Sequence, residues 1–268
     1  MSQCPAMQAR SALFDLYGDY LRSRGGQAPV SALVKLLAPL GIAAPAVRTA
    51  VSRMVRQGWL VPRRLPSGPG YALTPKAVRR LDEAAARVYR TDQPAWDGQF
   101  DLIAVVDLPA SRPARSRLAG NLAFLGYGTL TDRIWVSPYP SPQVADLLAE
   151  AGIRYNRFRA VHTNDGENAT SLLERAWDLK GLASAYEQFV RDLTPVVADV
   201  PAEGDDEAAY RARFELVHAW RTFLFRDPHL PTTLLPADWP GIAAARFFSR
   251  HAGRLRPAAD RFVDHCLP

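Results

Sequence analysis

APAVRTAVSRMVRQGWLVPRR (residues 44–64) carries five arginines, Arg48, Arg53, Arg56, Arg63 and Arg64, and no acidic residue. Pro45 suits the first turn of a helix, where its missing N–H has no partner to lose. Projected at about 100° per residue from Val47, the residues Ala50, Val51, Met54 and Val55 share one arc. Arg48, Thr49, Ser52, Arg53 and Arg56 share the opposite arc. The apolar arc must pack on a neighbour. The polar arc presents three guanidiniums interleaved with two small hydroxyls, a mix that suits a major groove. Arginine forks onto guanine or phosphate there, and Ser and Thr reach either without bulk. A solvated helix face would more often mix Glu with Lys.

The flanks place this helix. Upstream, Leu13, Phe14, Tyr17, Tyr20 and Leu21 recur at helical spacing and predict a helix over residues 10–24, ended by Gly25-Gly26. Residues 30–40 predict a second helix, with Leu33, Val34, Leu37 and Leu40 inward and Gly41 as its stop. Downstream, residues 59–65 read as a strand, 66–70 as a turn and 71–73 as a returning strand. Thr74 and Pro75 then start another helix as N-cap and first residue. Three helices followed by a two-stranded wing is the winged helix-turn-helix order, in which the third helix reads DNA. Arg63 and Arg64 fall near the wing, suited to phosphates and the setting of register.

Charge points the same way. Residues 1–90 hold 14 Lys and Arg against four acids, Asp15, Asp19, Asp82 and Glu83, a net +10. The remaining residues hold 19 bases and 23 acids, a net −4. A basic module on a mildly acidic body predicts a local polyanion partner. The N-terminus lacks the basic start and apolar run of a signal peptide, and no window is apolar enough to span a bilayer, so a cytoplasmic protein with no membrane partner is expected. Cys4 and Cys266 belong to no ligand-like cluster.

Beyond QPAWDG (residues 93–98), which reads as a linker, the pattern changes. Strands are predicted at 100–108, 127–131, 133–137 and 155–162, with helices at 111–125 and 142–151. This β-α-β-β-α-β order is that of a ferredoxin-like unit, whose free sheet face suits dimerisation or ligand contact. NDGENA (residues 164–169) marks a second boundary. Helices are predicted after it at 172–193 and 205–225, with closing helices at 242–266. The fold class is therefore α+β, organised as a winged helix over 1–92, a ferredoxin-like domain over 98–163 and a helical domain over 170–268.

With VRTAVSRMVRQGWL (residues 47–60), the central unit and FRDPHLPTTLLPADWPG (residues 225–241) in view, the chain resembles the PaaX family along nearly its whole length. The resemblance implies a transcriptional repressor of a phenylacetate-type catabolic operon. Such a repressor binds a palindromic double-stranded operator as a homodimer and is released by an aryl-coenzyme A effector, typically phenylacetyl-CoA. The wing, LPSGPGYALT (residues 65–74), departs from the more basic Gly-Arg turn of that family. An effector of this class needs an apolar cavity with a few polar groups, and basic residues for its phosphates. His218, Trp220 and Arg221 in VHAWRTFLFRDPHLP (residues 217–231) and Arg157 in IRYNRFRAVH (residues 153–162) are the candidates. Ordinary helical core and a salt-bridged surface are the competing readings of these positions.

Enzymatic chemistry finds little footing. The central unit also resembles the small nucleases of CRISPR adaptation, which place an aspartate at the end of the first strand, where Asp107 falls. Metal-assisted phosphodiester hydrolysis needs several convergent ligands, and the sequence offers no second one nearby. No histidine pair has the i, i+4 spacing of a helical metal site, and no phosphate loop, nucleophile elbow or triad is legible. No cofactor and no metal are expected, and the chain is read as a non-enzyme. Metal-dependent cleavage through Asp107 is the alternative, and a sensing module that binds another protein through the wing is a third reading.

Overall fold

The arginine-rich helix lies over Ala44–Arg56, and it is α3 of a computed structural model that describes residues 7–88, 95–163, 169–201 and 204–268. Cys4 and much of the two boundary segments lie outside the described residues. The chain forms two compact units. One comprises Met1–Tyr89, Phe189–Arg221 and Ala245–Pro268, the other Arg90–Gln188 and Thr222–Ala244.

The first unit begins with α1 (Ala9–Leu16), which continues through a π turn at Tyr17–Leu21 and a 3-10 turn at Arg22–Arg24. The expected helix over 10–24 is thus unbroken but widened in its middle, and both Asp15 and the ring of Tyr20 are buried there. Strand β1 (Gln27–Pro29) and helix α2 (Val30–Leu37) follow, and a 3-10 turn at Ala38–Leu40 leads to Gly41, which takes the left-handed φ of 74° that turns the chain into α3. Strands β2 (Leu60–Leu65) and β3 (Gly68–Leu73) form the antiparallel hairpin, and Thr74 caps α4 (Pro75–Val88) by accepting from the Ala77 N–H at 3.2 Å.

The hairpin is not two-stranded, because β1 pairs antiparallel with β3. Gly70 permits this pairing. A Cβ there would stand 2.7 Å from the Ala28 carbonyl oxygen, so any side chain would force β1 away.

The core of this unit joins Leu13, Leu16, Leu33, Leu36, Val47 and Met54 to residues from near the other end of the chain, Tyr210, Phe214, Ala259 and Val263. The latter come from α9 (Asp206–Arg221) and α10 (Pro240–Cys266). The closing segment is one continuous 27-residue helix with Pro257 inside it, not several helices.

The join is polar as well as apolar. Arg213 and Asp19 form an ion pair with side chains only 2% and 5% exposed. Arg213 also donates to the Tyr20 hydroxyl at 2.8 Å and to the Ala252 carbonyl at 3.0 Å. Arg24 reaches Asp264 at 2.6 Å and Asp260 at 3.1 Å, and the Tyr210 hydroxyl donates to the Leu36 carbonyl at 2.8 Å.

The second unit contains β4 (Phe100–Val105), α5 (Arg112–Phe124), β5 (Gly128–Thr129), β6 (Ile134–Ser137), α6 (Gln143–Glu150) and β7 (Tyr155–Ala160). The sheet order is β5-β6-β4-β7, with every neighbouring pair antiparallel. This is the connectivity of a ferredoxin-like unit. Ile103, Val105 and Trp135 face Leu118 and Leu122 of α5 and Val144 and Leu148 of α6. The opposite face, with Phe100 and Val136, is covered by Leu172, Leu173 and Ala176 of α7 (Ala169–Ala176).

The helix expected over 172–193 is divided. After α7 the chain breaks at Trp177-Asp178, and α8 (Leu179–Ala198) starts where the Asp178 carboxylate accepts the Gly181 N–H at 2.9 Å.

Removing one partner of a buried ion pair strands the other charge in a medium of low polarity. Arg213→Ala is expected to destabilise the protein by about 3–5 kcal/mol in urea unfolding, whereas joint replacement of Arg213 and Asp19 by Met and Leu should lose less.

Candidate nucleic-acid interface

Helix α3 folds its two arcs as their chemistry demands. Val47, Ala50, Val51 and Met54 are buried against α1 and α2, and Arg48, Thr49, Ser52, Arg53 and Arg56 are exposed. Arg63 and Arg64 are exposed on β2, paired in register with Gly70 and Pro69. All seven residues therefore lie on the surface of one unit.

What distinguishes these five arginines is that they cluster on one helix and the strand that follows it. Among the described residues, none of the five guanidiniums meets a carboxylate. Elsewhere in the chain Arg22, Arg24, Arg154, Arg157, Arg159, Arg213, Arg221, Arg256 and Arg261 each have an acidic partner, while Arg112, Arg117, Arg246 and Arg250 have none among the described residues.

The hydroxyls of the arc differ from each other. Thr49 donates its hydroxyl back to the Pro45 carbonyl at 2.9 Å, so its donor is engaged by its own helix. Ser52 makes no such bond among the described residues.

Two further cations on this unit escaped the sequence reading. Lys76 stands 5.5 Å from the Trp59 ring centre, and Arg10 stands 5.8 Å from that of Phe14. Phe14 and Trp59 meet edge to face at 5.0 Å. Only the fold brings these rings together, though an exposed base near an aromatic residue is a signal that a search for cation–π pairs would flag.

The other candidate residues have separate surroundings. His218 and Arg221 converge on one carboxylate, Asp15, which is buried in α1. Trp220 stacks on Phe248 at 4.8 Å and tilts against Phe189 at 5.4 Å. Arg157 belongs to the second unit, where its Nε donates to Asp101 at 2.9 Å and a terminal nitrogen donates to the Ser141 carbonyl at 3.1 Å. Asp101 is buried, and it also accepts from the Tyr127 hydroxyl. The Asp101 hydrogen bond raises the Arg157 pKa further, and burial above all pushes that of Tyr127 up.

Asp107 follows the end of β4 and pairs with Arg154 at 2.6 Å, and among the described residues no three His, Cys, Asp or Glu side chains converge as a metal site. No helix among the described residues is long and apolar enough to cross a membrane.

Known proteins carry the same plan. Residues 8–77 match the family described as PaaX-like protein, residues 93–172 the PaaX protein central Cas2-like domain and residues 177–265 the PaaX-like protein C-terminal domain. The Transcriptional repressor PaaX of Escherichia coli (strain K12) is 34% identical over 263 residues, covering 94% of this chain and 82% of that protein. Among solved structures, the uncharacterized protein Rv0674 from Mycobacterium tuberculosis superposes with a TM-score of 0.66 at 25% identity, over 95% of this chain and 98% of the other. With matches in family order through all three segments and a relative sharing a third of its residues, this chain belongs to the PaaX-like protein family.

Proposed function

We propose that the protein is a transcriptional repressor of a phenylacetate-type catabolic operon, acting without enzymatic chemistry. The observation that carries this reading is the cluster of five exposed arginines on α3 and β2, none of which meets a carboxylate among the described residues. The relationship to a named repressor supports a role in DNA binding for that surface. In this reading α1 to α3 with the β2–β3 hairpin act as a winged helix-turn-helix. Helix α3 enters the major groove, Arg48, Ser52, Arg53 and Arg56 reach base edges or phosphates, and Thr49 packs as a spacer. Arg63 and Arg64 hold the backbone and set register.

The stretches 1–92, 98–163 and 170–268 serve in this reading as the DNA-binding, central and effector-responsive modules. The repressor works as a cytoplasmic homodimer on a palindromic double-stranded operator. An aryl-coenzyme A ester releases it, with His218, Trp220, Arg221 and Arg157 as the residues that respond. Two of these, His218 and Arg221, hold Asp15 of α1, the helix that also supplies Leu13 and Leu16 to the core beneath α3. An anionic ligand that draws Arg221 and His218 away from Asp15 loosens the support of the reading helix. Cleavage by Asp107 is the weaker alternative, because its carboxylate is already answered by Arg154.

Three measurements test the proposal. In gel shifts, Arg48→Ala and Arg53→Ala should each cost about 1–3 kcal/mol of discrimination between operator and random DNA. Equal losses on both DNAs would reassign the residue to a phosphate. Arg63→Ala should weaken both DNAs alike and reduce the slope of log affinity against log salt by about 1. Titrating acyl-CoA thioesters into the wild-type complex should release the DNA, and Asp15→Asn should change the concentration required. Release by no thioester would remove this effector class.

A further inference from the structure

The four-stranded sheet of the second unit treats its two edges differently. At one edge β5 has only two residues, and Gly128 lies against α7 so closely that a Cβ would stand 2.6 Å from the Ala176 carbonyl oxygen and collide with the Trp177 ring. That edge is short and covered. At the other edge β7 pairs with β4 alone.

The register shows which groups of β7 are left over. Val106 N–H donates to the Arg154 carbonyl at 2.9 Å, and Asn156, Phe158 and Ala160 lie opposite Ala104, Leu102 and Phe100. Hydrogen-bonded pairs alternate along an antiparallel ladder, so Asn156, Phe158 and Ala160 turn their backbone groups toward β4. Tyr155, Arg157 and Arg159 turn theirs outward. Among the described residues nothing meets those outward amides and carbonyls.

The side chains of this edge do not guard it. Open edges are usually protected by Lys, Pro, a bulge or a covering segment. Strand β7 has neither Lys nor Pro, and its pairing with β4 runs without a bulge. Phe158 is 52% exposed, and Val161, just past the strand, is 61% exposed. The two cations are already engaged, Arg157 by Asp101 and Arg159 by Asp97 at 2.6 Å.

We propose that β7 is the self-association edge, on which β7 of a second copy adds antiparallel and merges two four-stranded sheets into one of eight. The proposal rests on the homodimer reading given above and assigns its interface. Unpaired backbone donors and acceptors call for another strand, and a symmetric partner supplies the same pattern in reverse. Phe158 selects the register. With the two-fold axis at this residue, Phe158 meets the partner's Phe158 in a non-hydrogen-bonded pair, where side chains approach most closely. Arg157 then faces the partner's Arg159, and each arginine arrives with its own carboxylate, so the cross-strand charges are neutralised.

Sedimentation of the full chain tests this. The wild type is expected to be a dimer, and Phe158→Glu and Arg159→Pro should each weaken self-association at least about tenfold. Arg159→Pro removes an N–H that β4 does not use, so its circular dichroism should match the wild type and show the fold intact. With Cys4 and Cys266 changed to Ser, Phe158→Cys should form a disulfide-linked dimer on oxidation and Asn156→Cys should not. A wild type that stays monomeric would overturn the homodimer reading and this interface with it. A dimer unaffected by either folded variant, or Asn156→Cys linking as readily as Phe158→Cys, would overturn the β7 interface and leave the homodimer standing.

Discussion

Arg213 is buried on α9 with its guanidinium answered on each side, by the Asp19 carboxylate, the Tyr20 hydroxyl and the Ala252 carbonyl. A charge so placed is tolerable only while all of these partners stay in position. The first unit therefore holds α1, α9 and α10 to one arrangement. Burial above all pushes the pKa of Tyr20 upward, which keeps its hydroxyl neutral beside Asp19. Arg256 adds a second hold on Asp19 at 3.4 Å. The apolar core that supports α3 draws on the same three helices together with α2, so α3 shares its footing with this pair.

Seen across the chain, arginine is used in two ways. Most of the guanidiniums with acidic partners fix one element to another, as Arg24 ties the end of the first helical segment to α10 and Arg157 ties β7 to the buried Asp101. Those on α3 and β2 have no such duty among the described residues, and they lie in a stretch, residues 44–64, that holds no acid. A basic surface evolved only for solubility would pair or mix its charges more evenly.

The local half of this arrangement was legible from the sequence. Helical spacing sorted Val47, Ala50, Val51 and Met54 from the arginines of α3, and the order of strands and helices over 100–160 matched the ferredoxin-like connectivity within a few residues at each end. These features depend on neighbours close in sequence. What stayed hidden depends on distant ones. Asp15 and Asp19 read as minor acids in a basic region, because their partners His218, Arg221, Arg213 and Arg256 lie some two hundred residues away. Strand β1 is three residues long with a proline at its end, too brief to show a period. The break at Trp177-Asp178 follows from a cap and from the approach of a ring to Gly128, neither of which disturbs the apolar spacing.

The route of the chain through the first unit has a consequence for its making. Its core and its buried ion pair include α9 and the far end of α10, yet α3 is finished by Arg56. A ribosome adding roughly 5–20 residues each second takes on the order of ten seconds or more to travel from the end of α4 to the last residues of that core. Throughout that interval Leu33, Leu36 and Leu37 lack the Tyr210, Ala259 and Val263 that close over them. The N-terminal segment thus leaves the ribosome with part of its core still unmade, and synthesis itself delays the moment at which that core can close.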